Sequence, residues 1–384
     1  MISNDGKIGQ TQSPVQKRLI ALAEKAGEIM VLVPSEQNKR EKISEHLTVY
    51  SAGGPKLIQL WKIWRVGKQL LTPTTPPPQY HEDGYGAQRR LGTPPWKGGE
   101  EVPYDLITVQ DAYFLGFLGY VLSRRFRVPL EIQVHGLERY SGLRVLVAKF
   151  VLQRAHKVRV VSERLKREMD VRFKIKDVSK IYELPVYAQI DAPKFAARRK
   201  TIPYPFTFLT VGRLVPIKNI SLQIRAFAKV AKQIPHIRLR IVGDGPERTN
   251  LELEAKSLKL EASVVFEGYQ KDVGRFYEEA DAFLLTSDSE GWGLVALEAA
   301  AYKLPIIMTD VGLAQEVIKN DESGFIIPVG NERELILAMK DFLDKPELRA
   351  RFGEAAFKAF KALPNTETQI AKQVAEWQTL VNRK

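Results

Sequence analysis

Two glutamates eight residues apart and one short cationic loop hold the residue types best suited to chemistry in this chain. The glutamates bracket the run Glu290-Gly-Trp-Gly-Leu-Val-Ala-Leu-Glu298. An apolar strand over 282–286 leads into a short polar loop carrying Gly291 and Gly293. The helix that follows is apolar and alanine-rich on every side, the mark of a buried helix. Glu298 lies within it, and a buried carboxylate is costly unless hydrogen bonds are donated to it. No Lys or Arg lies within a helical turn, so its partner is distant in sequence or is a ligand. A strand, a glycine turn and a helix N-terminus also present free backbone N–H groups to an anion. The loop Gly212-Arg-Leu-Val-Pro-Ile-Lys218 adds Arg213 and Lys218. A guanidinium grips two phosphate oxygens at once and an ammonium acts as a mobile point charge, so the pair suits a diphosphate. Together these groups suit a molecule with both phosphate and hydroxyls.

Each group also has a plainer reading. Basic loop residues are commonly solvated, and Glu290 by itself fits a helix-start carboxylate favoured by the helix dipole. His135 follows an apolar strand over 130–134, and Gly136 after it lets backbone approach a ligand. A lone histidine there equally fits a turn cap.

The elements that must position these residues read as alternating strands and helices. Apolar runs at 206–211, 237–242, 264–267, 282–286, 305–308 and 325–329 are separated by helix-period segments such as Leu222, Ala226, Phe227, Val230 and Ile234. Such alternation implies parallel pairing in a doubly wound sheet. The first half reads as helix 17–28, strand 29–33, strand 47–51 and an amphipathic helix 57–71 carrying Trp61 and Trp64. A Pro- and Gly-rich mobile loop is expected over 72–100. Strand 106–109, helix 112–125, strand 130–134, helix 143–154, strand 158–161 and a basic helix 164–168 follow, and 189–205 reads as a linker. The expected fold is α/β, with two Rossmann-like domains facing a crevice and ligands beyond the carboxyl ends of their strands. The domains expected are 1–200 and 201–364. The helix 366–383, with Ile370, Val374, Trp377 and Leu380 on one stripe, is expected to cross back onto the first domain, so that 365–384 forms its own segment.

Composition sets outer limits. The chain has 384 residues, room for two ordinary domains, and no cysteine, which excludes disulfides, zinc-thiolate sites and cysteine nucleophiles. No run of 18 apolar residues and no charged-then-apolar start are present, so a soluble, cytoplasmic protein is expected. Residues 1–200 hold 34 Lys/Arg against 20 Asp/Glu, a net of +14 (the rest of the chain nets −1). This asymmetry points to an anionic partner for the first half, or to a solvated basic surface. Arg154, Lys157, Arg159, Arg164, Lys166, Arg167, Arg172, Lys174 and Lys176 are the densest cluster. They suggest docking of 154–176 on the inner face of an anionic membrane, with Trp61 and Trp64 as an apolar anchor. No nucleic-acid recognition motif accompanies the charge.

The glutamate pair, the Gly212-Arg213…Lys218 loop and Val242-Gly243-Asp244-Gly245-Pro246 together resemble the retaining GT-B glycosyltransferases of the group 1 (family 4) type. Thr309-Asp310-Val311-Gly312 and Ser323-Gly324-Phe325-Ile326-Ile327-Pro328 support the likeness, and Val134-His135-Gly136 and Leu184-Pro185-Val186 extend it more loosely. The resemblance implies that Glu298 holds ribose hydroxyls and Glu290 contacts the donor sugar. It implies that Arg213 and Lys218 neutralise the diphosphate, and that backbone around Gly212, Gly291, Trp292, Gly293 and Leu294 approaches the donor. Tyr269 and Gln270, after Gly268, would lie beside the base, and His135 near the sugar and diphosphate. The family begins with a full strand and a glycine-rich loop, whereas Met1-Ile2-Ser3 leaves only a stub here, as if the first strand were truncated.

The expected activity is transfer of a sugar from a nucleotide-diphosphate sugar to a glycan or lipid-linked acceptor, with retention. Neither a metal nor a separate cofactor is expected, because Arg213 and Lys218 supply the positive charge. A nucleotide-sugar epimerase of the same architecture and a non-catalytic, accessory sugar-nucleotide binder are the alternatives.

Overall fold

The computed structural model describes residues 1–2, 13–35, 39–52, 55–72, 104–137, 142–185, 190 and 205–382. Most of the 72–100 loop and the 189–205 linker lie outside them. Two compact units are present: Met1–Pro185 with Asn365–Lys384, and Val186–Pro364.

The first unit runs α1 (Pro14–Ala26), β1 (Ile29–Pro34), β2 (Lys39–Lys42), β3 (Leu47–Ala52), α2 (Lys56–Leu71), β4 (Ile107–Val109) and α3 (Phe114–Phe126). It continues β5 (Leu130–Val134), α4 (Leu143–Arg154), β6 (Lys157–Val160), α5 (Glu163–Phe173) and β7 (Ile181–Glu183). Strands pair in the orders β1-β3-β2 and β4-β5-β6-β7, all parallel except β2. The short start of the chain joins these two groups. Ile2 bridges in parallel to Leu32 on one side and Val109 on the other, and its N–H donates to Thr108 O at 2.7 Å. Among the described residues Met1 and Ile2 thus lie between the two groups, Leu32 N donating to Met1 O at 2.8 Å.

Period-2 alternation sorts this sheet onto two faces. Ile29, Val31, Val33, Leu47 and Val49 pack with α1 and with Ile370, Val374 and Trp377 of the last helix. Met30 and Leu32 point the other way, where Gly67 of α2 meets Leu122 of α3 and Leu32. Burying a side chain of the size of Ile370 or Val374 is worth about 1.5–3 kcal/mol each, enough to hold a helix that follows Leu363-Pro364. Ser13 caps α1 by accepting from Gln16 N at 3.1 Å.

Three elements differ from the sequence reading, among them the short strand β7, which has no expected counterpart. The basic helix extends to Phe173, because Ser162 caps it by accepting from Leu165 N and because Leu165, Met169 and Phe173 bury one stripe. The edge strand β2, Lys-Arg-Glu-Lys in sequence, has no apolar alternation to betray it.

The second unit is β8 (Phe206–Val211), α6 (Ile220–Ala231), β9 (Ile237–Val242), α7 (Arg248–Ser257), β10 (Val264–Gly268) and α8 (Gly274–Glu279). β11 (Ala282–Leu285), α9 (Leu294–Ala301), β12 (Ile306–Thr309), β13 (Gly324–Ile327), α10 (Glu332–Asp344) and α11 (Pro346–Ala362) follow, and α12 (Thr366–Val381) belongs to the first unit. Its six strands pair in the order β10-β9-β8-β11-β12-β13, all parallel. The chain order reverses between β8 and β11. A reversal of this kind opens a crevice at the carboxyl ends of the two strands, the place where such sheets take ligands. The core behind it is dense and almost wholly apolar, with Phe208, Phe227, Leu239, Leu284, Phe342 and Phe352 fully buried.

Candidate functional site

At the reversal point the loops after β8 and β11 come together. Lys218 and Glu290 are 72 residues apart in sequence, yet the Lys218 ammonium lies 2.5 Å from Glu290 Oε1. Ser287 Oγ donates to the same oxygen at 2.6 Å. Both partners of the ion pair are only partly buried, so solvent or a ligand can reach them. Arg213, five residues before Lys218, is exposed and has no side-chain partner among the described residues. An exposed guanidinium and an ammonium held by a carboxylate thus share the loop after β8, which gives that loop a positive charge.

Buried polar groups hold these loops, and of them only Thr309, the first residue of the Thr309–Gly312 motif, stood out in the sequence. Thr286 Oγ1 donates to the carbonyl of Asn219 at 3.0 Å and accepts from Gln223 Nε2 at 2.8 Å. Thr309 Oγ1 donates to Ser287 O at 2.6 Å. Asp288 N donates to Ile217 O at 2.8 Å, and Asn219 Nδ2 to Asp288 Oδ1 at 2.9 Å. The signal was a glutamine in an otherwise apolar stretch of α6 and hydroxyls at two strand ends. A buried amide or hydroxyl needs a partner, and here the partners belong to neighbouring loops.

Two glycines allow the loops to approach one another. A Cβ on Gly243 would lie 1.8 Å from Gly212 O, and its φ is +138°. A Cβ on Gly312 would lie 2.5 Å from Trp292 O, whose carbonyl accepts from Leu313 N. Trp292 is buried, and its indole Nε1 has no hydrogen-bond partner. A buried donor without an acceptor is uncommon in a native fold and suits a site that a ligand completes. Gly291 precedes this tryptophan. Gly293 then caps α9 with no side-chain oxygen; Ala296 N donates to Gly293 O at 2.9 Å, which leaves the Leu294 and Val295 N–H groups at the helix start to face an anion.

Glu298 lies four residues after Leu294, just over one turn into α9. Its distant partner is Tyr277 on α8, whose hydroxyl donates to Oε2 at 2.7 Å. Tyr277 is itself buried and stacks on Tyr302 at 5.3 Å between ring centroids. Burial pushes the Glu298 carboxyl above the usual carboxylate range, and the Tyr277 hydrogen bond pulls it part of the way back. Burial, with the Glu298 charge and hydrogen bond, raises the Tyr277 hydroxyl well above its ordinary value. Tyr277 supplies one hydrogen bond to one oxygen of a carboxylate that can accept about four.

The loop after β10 is close at hand, since Gly243 N donates to Gly268 O at 2.9 Å. Tyr269 is 76% exposed, and Gln270 Nε2 donates to Glu267 O at 2.8 Å. The second unit thus carries Gly212, Arg213, Lys218, Tyr269, Gln270, Glu290 to Leu294 and Glu298 on the loops and helix starts after β8, β10 and β11.

His135 lies in the first unit, just past β5. Its Nε2 is buried and has no hydrogen-bond partner. Burial, with Arg159 and Arg18 nearby, lowers its pKa to about 3, so the imidazole is neutral. The basic cluster of this unit is divided rather than shared on one face. Lys157 is buried and bonds to Glu376 and to Thr379 Oγ1 of α12. Arg159 is buried too, donating to Leu184 O at 3.1 Å and to Gln133 and Gln373 at 3.3 Å. These two cations face the protein interior and are unavailable to a membrane.

Residues 194–359 match the model of the family described as glycosyl transferases group 1. Over 140 residues the chain is 35% identical to the N-acetyl-alpha-D-glucosaminyl L-malate synthase of Bacillus anthracis, covering 36% of each protein. The chain spans about half or less of the length of the first curated relatives it matches. Among solved structures, sucrose-phosphate synthase from Thermosynechococcus elongatus superposes with a TM-score of 0.76 at 22% identity, over 96% of this chain and 93% of that one. Anabaena HepE, solved with UDP and glucose, gives a TM-score of 0.72 at 19% identity, over 98% and 99% of the two chains. The second unit therefore resembles the group 1 glycosyl transferases over residues 194–359, and the chain as a whole has the GT-B fold.

Proposed function

We propose that this protein transfers a sugar from a UDP-sugar to a hydroxyl of a glycan or lipid-linked acceptor, with retention of the anomeric configuration. The observation that carries the reading is the Lys218–Glu290 pair at the sheet's reversal point, with exposed Arg213 beside it and half-satisfied Glu298 behind it. A bound diphosphate competes with Glu290 for Lys218. That exchange leaves the Glu290 carboxylate to accept hydrogen bonds from the donor sugar. Glu298 accepts from the ribose hydroxyls on the oxygen that Tyr277 leaves open. The UDP in HepE and the α-linkage in the name of the Bacillus anthracis relative support the choice of base and the retention.

In the reaction the acceptor oxygen forms a bond to the anomeric carbon as the bond from that carbon to the diphosphate oxygen breaks. The acceptor proton passes to the departing diphosphate, and the products are a glycoside and a nucleoside diphosphate. Negative charge grows on the leaving group, where Arg213 and Lys218 stabilise it without a divalent ion. No protein nucleophile is required, so positioning and charge account for the rate.

The test pairs binding with stereochemistry. Thermal melting in the presence of UDP-, GDP- and ADP-sugars should show stabilisation by the uridine series. Slow hydrolysis of the stabilising donor, followed by NMR, should release the sugar first as the donor's own anomer. Stabilisation without turnover would leave a binding protein, and an inverted first product would overturn retention.

A further inference from the structure

The three helices that cover one face of the first unit's sheet share an unusual composition. α2, α3 and α4 together carry nine Lys and Arg and no Asp or Glu. They are neighbours in the fold, since Gly67 of α2 meets Leu122 of α3, and Gly116 of α3 meets Val151 of α4. On the opposite face, α1 and α12 carry four basic residues against three acidic ones. One-sided charge of this kind belongs to that layer and does not follow from the unit's overall basicity.

The same layer exposes large apolar side chains. Leu57, Ile58, Trp61 and Trp64 are open on α2, Phe114, Phe117 and Val121 on α3, and Leu143 and Leu146 on α4. Several are interleaved with the cations. The Arg65 guanidinium lies 5.5 Å from the Trp61 ring, Lys68 5.6 Å from Trp64, and Arg154 3.8 Å from Phe150. Beside Trp61 a cleft of about 540 Å³ opens between α2 and the β1–β3 strands, with Arg40, Lys62 and Arg65 among the residues at its wall. Neither Arg40 nor Arg65 forms an ion pair among the described residues.

An exposed aromatic placed next to an unpaired cation matches the boundary layer of a bilayer, where rings sit at headgroup level and cations meet phosphate. A soluble protein partner would be expected to answer some of the apolar surface with a groove of mixed charge. A face with nine cations and no anion is complementary to a surface bearing one sign of charge throughout. No helix among the described residues is long and apolar enough to cross a membrane, so the contact is with a surface.

We infer that the α2–α3–α4 layer docks on an anionic phospholipid surface, Trp61, Trp64, Phe114 and Phe117 entering the headgroup region and Lys62, Arg65 and Lys68 meeting phosphates. This places the contact on helices that reach the 154–176 segment only at Arg154, since Lys157 and Arg159 of that segment are internal. The inference does not rest on the proposed sugar transfer, because lipid binding is read without any donor or acceptor.

The experiment is co-sedimentation of the full chain with phosphatidylcholine vesicles, with and without phosphatidylglycerol, at low and high salt. Attraction of roughly 1 kcal/mol per basic residue corresponds to about fivefold in partitioning. The triple variant Lys62→Gln/Arg65→Gln/Lys68→Gln should therefore bind anionic vesicles about a hundredfold more weakly. Trp61→Ser/Trp64→Ser should also lose binding, while Lys232→Gln/Lys256→Gln/Lys259→Gln on the second unit should bind like the parent. Melting curves of each variant establish that it is folded. Three results would overturn the inference: no binding to anionic vesicles at low salt, equal binding to neutral ones, or full binding by the folded α2 triple variant.

Discussion

The two units place buried polar groups in opposite ways, and the contrast separates structural polarity from functional polarity. In the first unit Glu131 lies inside the sheet and is saturated. Its Oε2 accepts from Thr108, Gln133 and Trp377 at 2.6, 2.9 and 3.0 Å, and its Oε1 accepts from the Tyr182 hydroxyl. Arg159 is likewise held by two carbonyls and two amide oxygens. Nothing in that network is left for a ligand. In the second unit Glu298 receives one bond from Tyr277, Lys218 and Ser287 share one oxygen of Glu290, and Trp292 Nε1 has no acceptor. A saturated network fixes a fold, whereas a half-saturated one at strand ends is a site waiting for a partner.

Breaking the saturated network should have the largest effect on stability. Arg159→Leu removes a buried cation and orphans Gln133, Gln373 and two carbonyls. The expected loss is about 3–5 kcal/mol, the range for removing one member of a buried charged group. Chemical denaturation of the full chain measures it, and a loss below about 1 kcal/mol would mean that the network is not a unit. Because α12 is tied in through Gln373 and Trp377, exchange protection in α12 should fall together with that of β5 and β6.

The half-saturated groups should show the reverse pattern, a loss of function with little loss of fold. Lys218→Ala should lower turnover by roughly 10²–10³, the scale for one lost charge-stabilising donor, with a much smaller change in donor affinity. Initial rates against donor concentration separate the two. An unchanged kcat would show that Lys218 serves only to orient Glu290.

Glu298→Gln sharpens the contrast by moving stability and binding in opposite directions. Burial raises the folded-state pKa of Glu298, so the folded protein holds more protons than the unfolded chain between the two values. Stability is then lost as pH rises through that window, so the charged form of this carboxylate is a burden on the free protein. Gln at 298 should leave the melting temperature of the free protein unchanged or higher, while weakening nucleotide binding by about 1.5–3 kcal/mol. Equal nucleotide affinity in the two proteins would remove the ribose assignment.

The smallest effect concerns His135. Its folded pKa of about 3 lies below the ordinary histidine value of 6.5. Between these values the unfolded chain binds the extra proton, so the share of stability due to the neutral ring is present above pH 6.5 and is lost as pH falls towards 3. One proton sets a ceiling of about 1.4 kcal/mol per pH unit on the slope. Replacing His135 by Asn should flatten the acid limb of the stability curve by up to that amount, and an unchanged limb would place the ring in solvent.

Sequence by itself determined the second unit almost strand for strand. Parallel strands buried on both faces read as continuous apolar runs, and helices between them keep their own period, so local pattern and tertiary role coincide there. Arg213, Lys218, Glu290 and Glu298 stand out in the sequence as candidates because their types and spacing are unusual, and the structure pairs Lys218 with Glu290. Membership of Trp377 in the first unit's core followed from a single apolar stripe after a proline. What the sequence could not carry was pairing at a distance. Tyr277 looks like one more core aromatic until its hydroxyl is found on Glu298. Thr286 and Gln223 look like ordinary polar substitutions until they are seen to join loops. Lys157 and Arg159 count as surface charge in a linear tally, yet they lie inside, because Glu376, Gln373 and the Leu184 carbonyl meet them there. Hydrophobic periodicity is a property of neighbouring residues and survives in one dimension. The satisfaction of a buried hydrogen bond depends on which distant strand or helix arrives opposite it, and only the tertiary structure decides that.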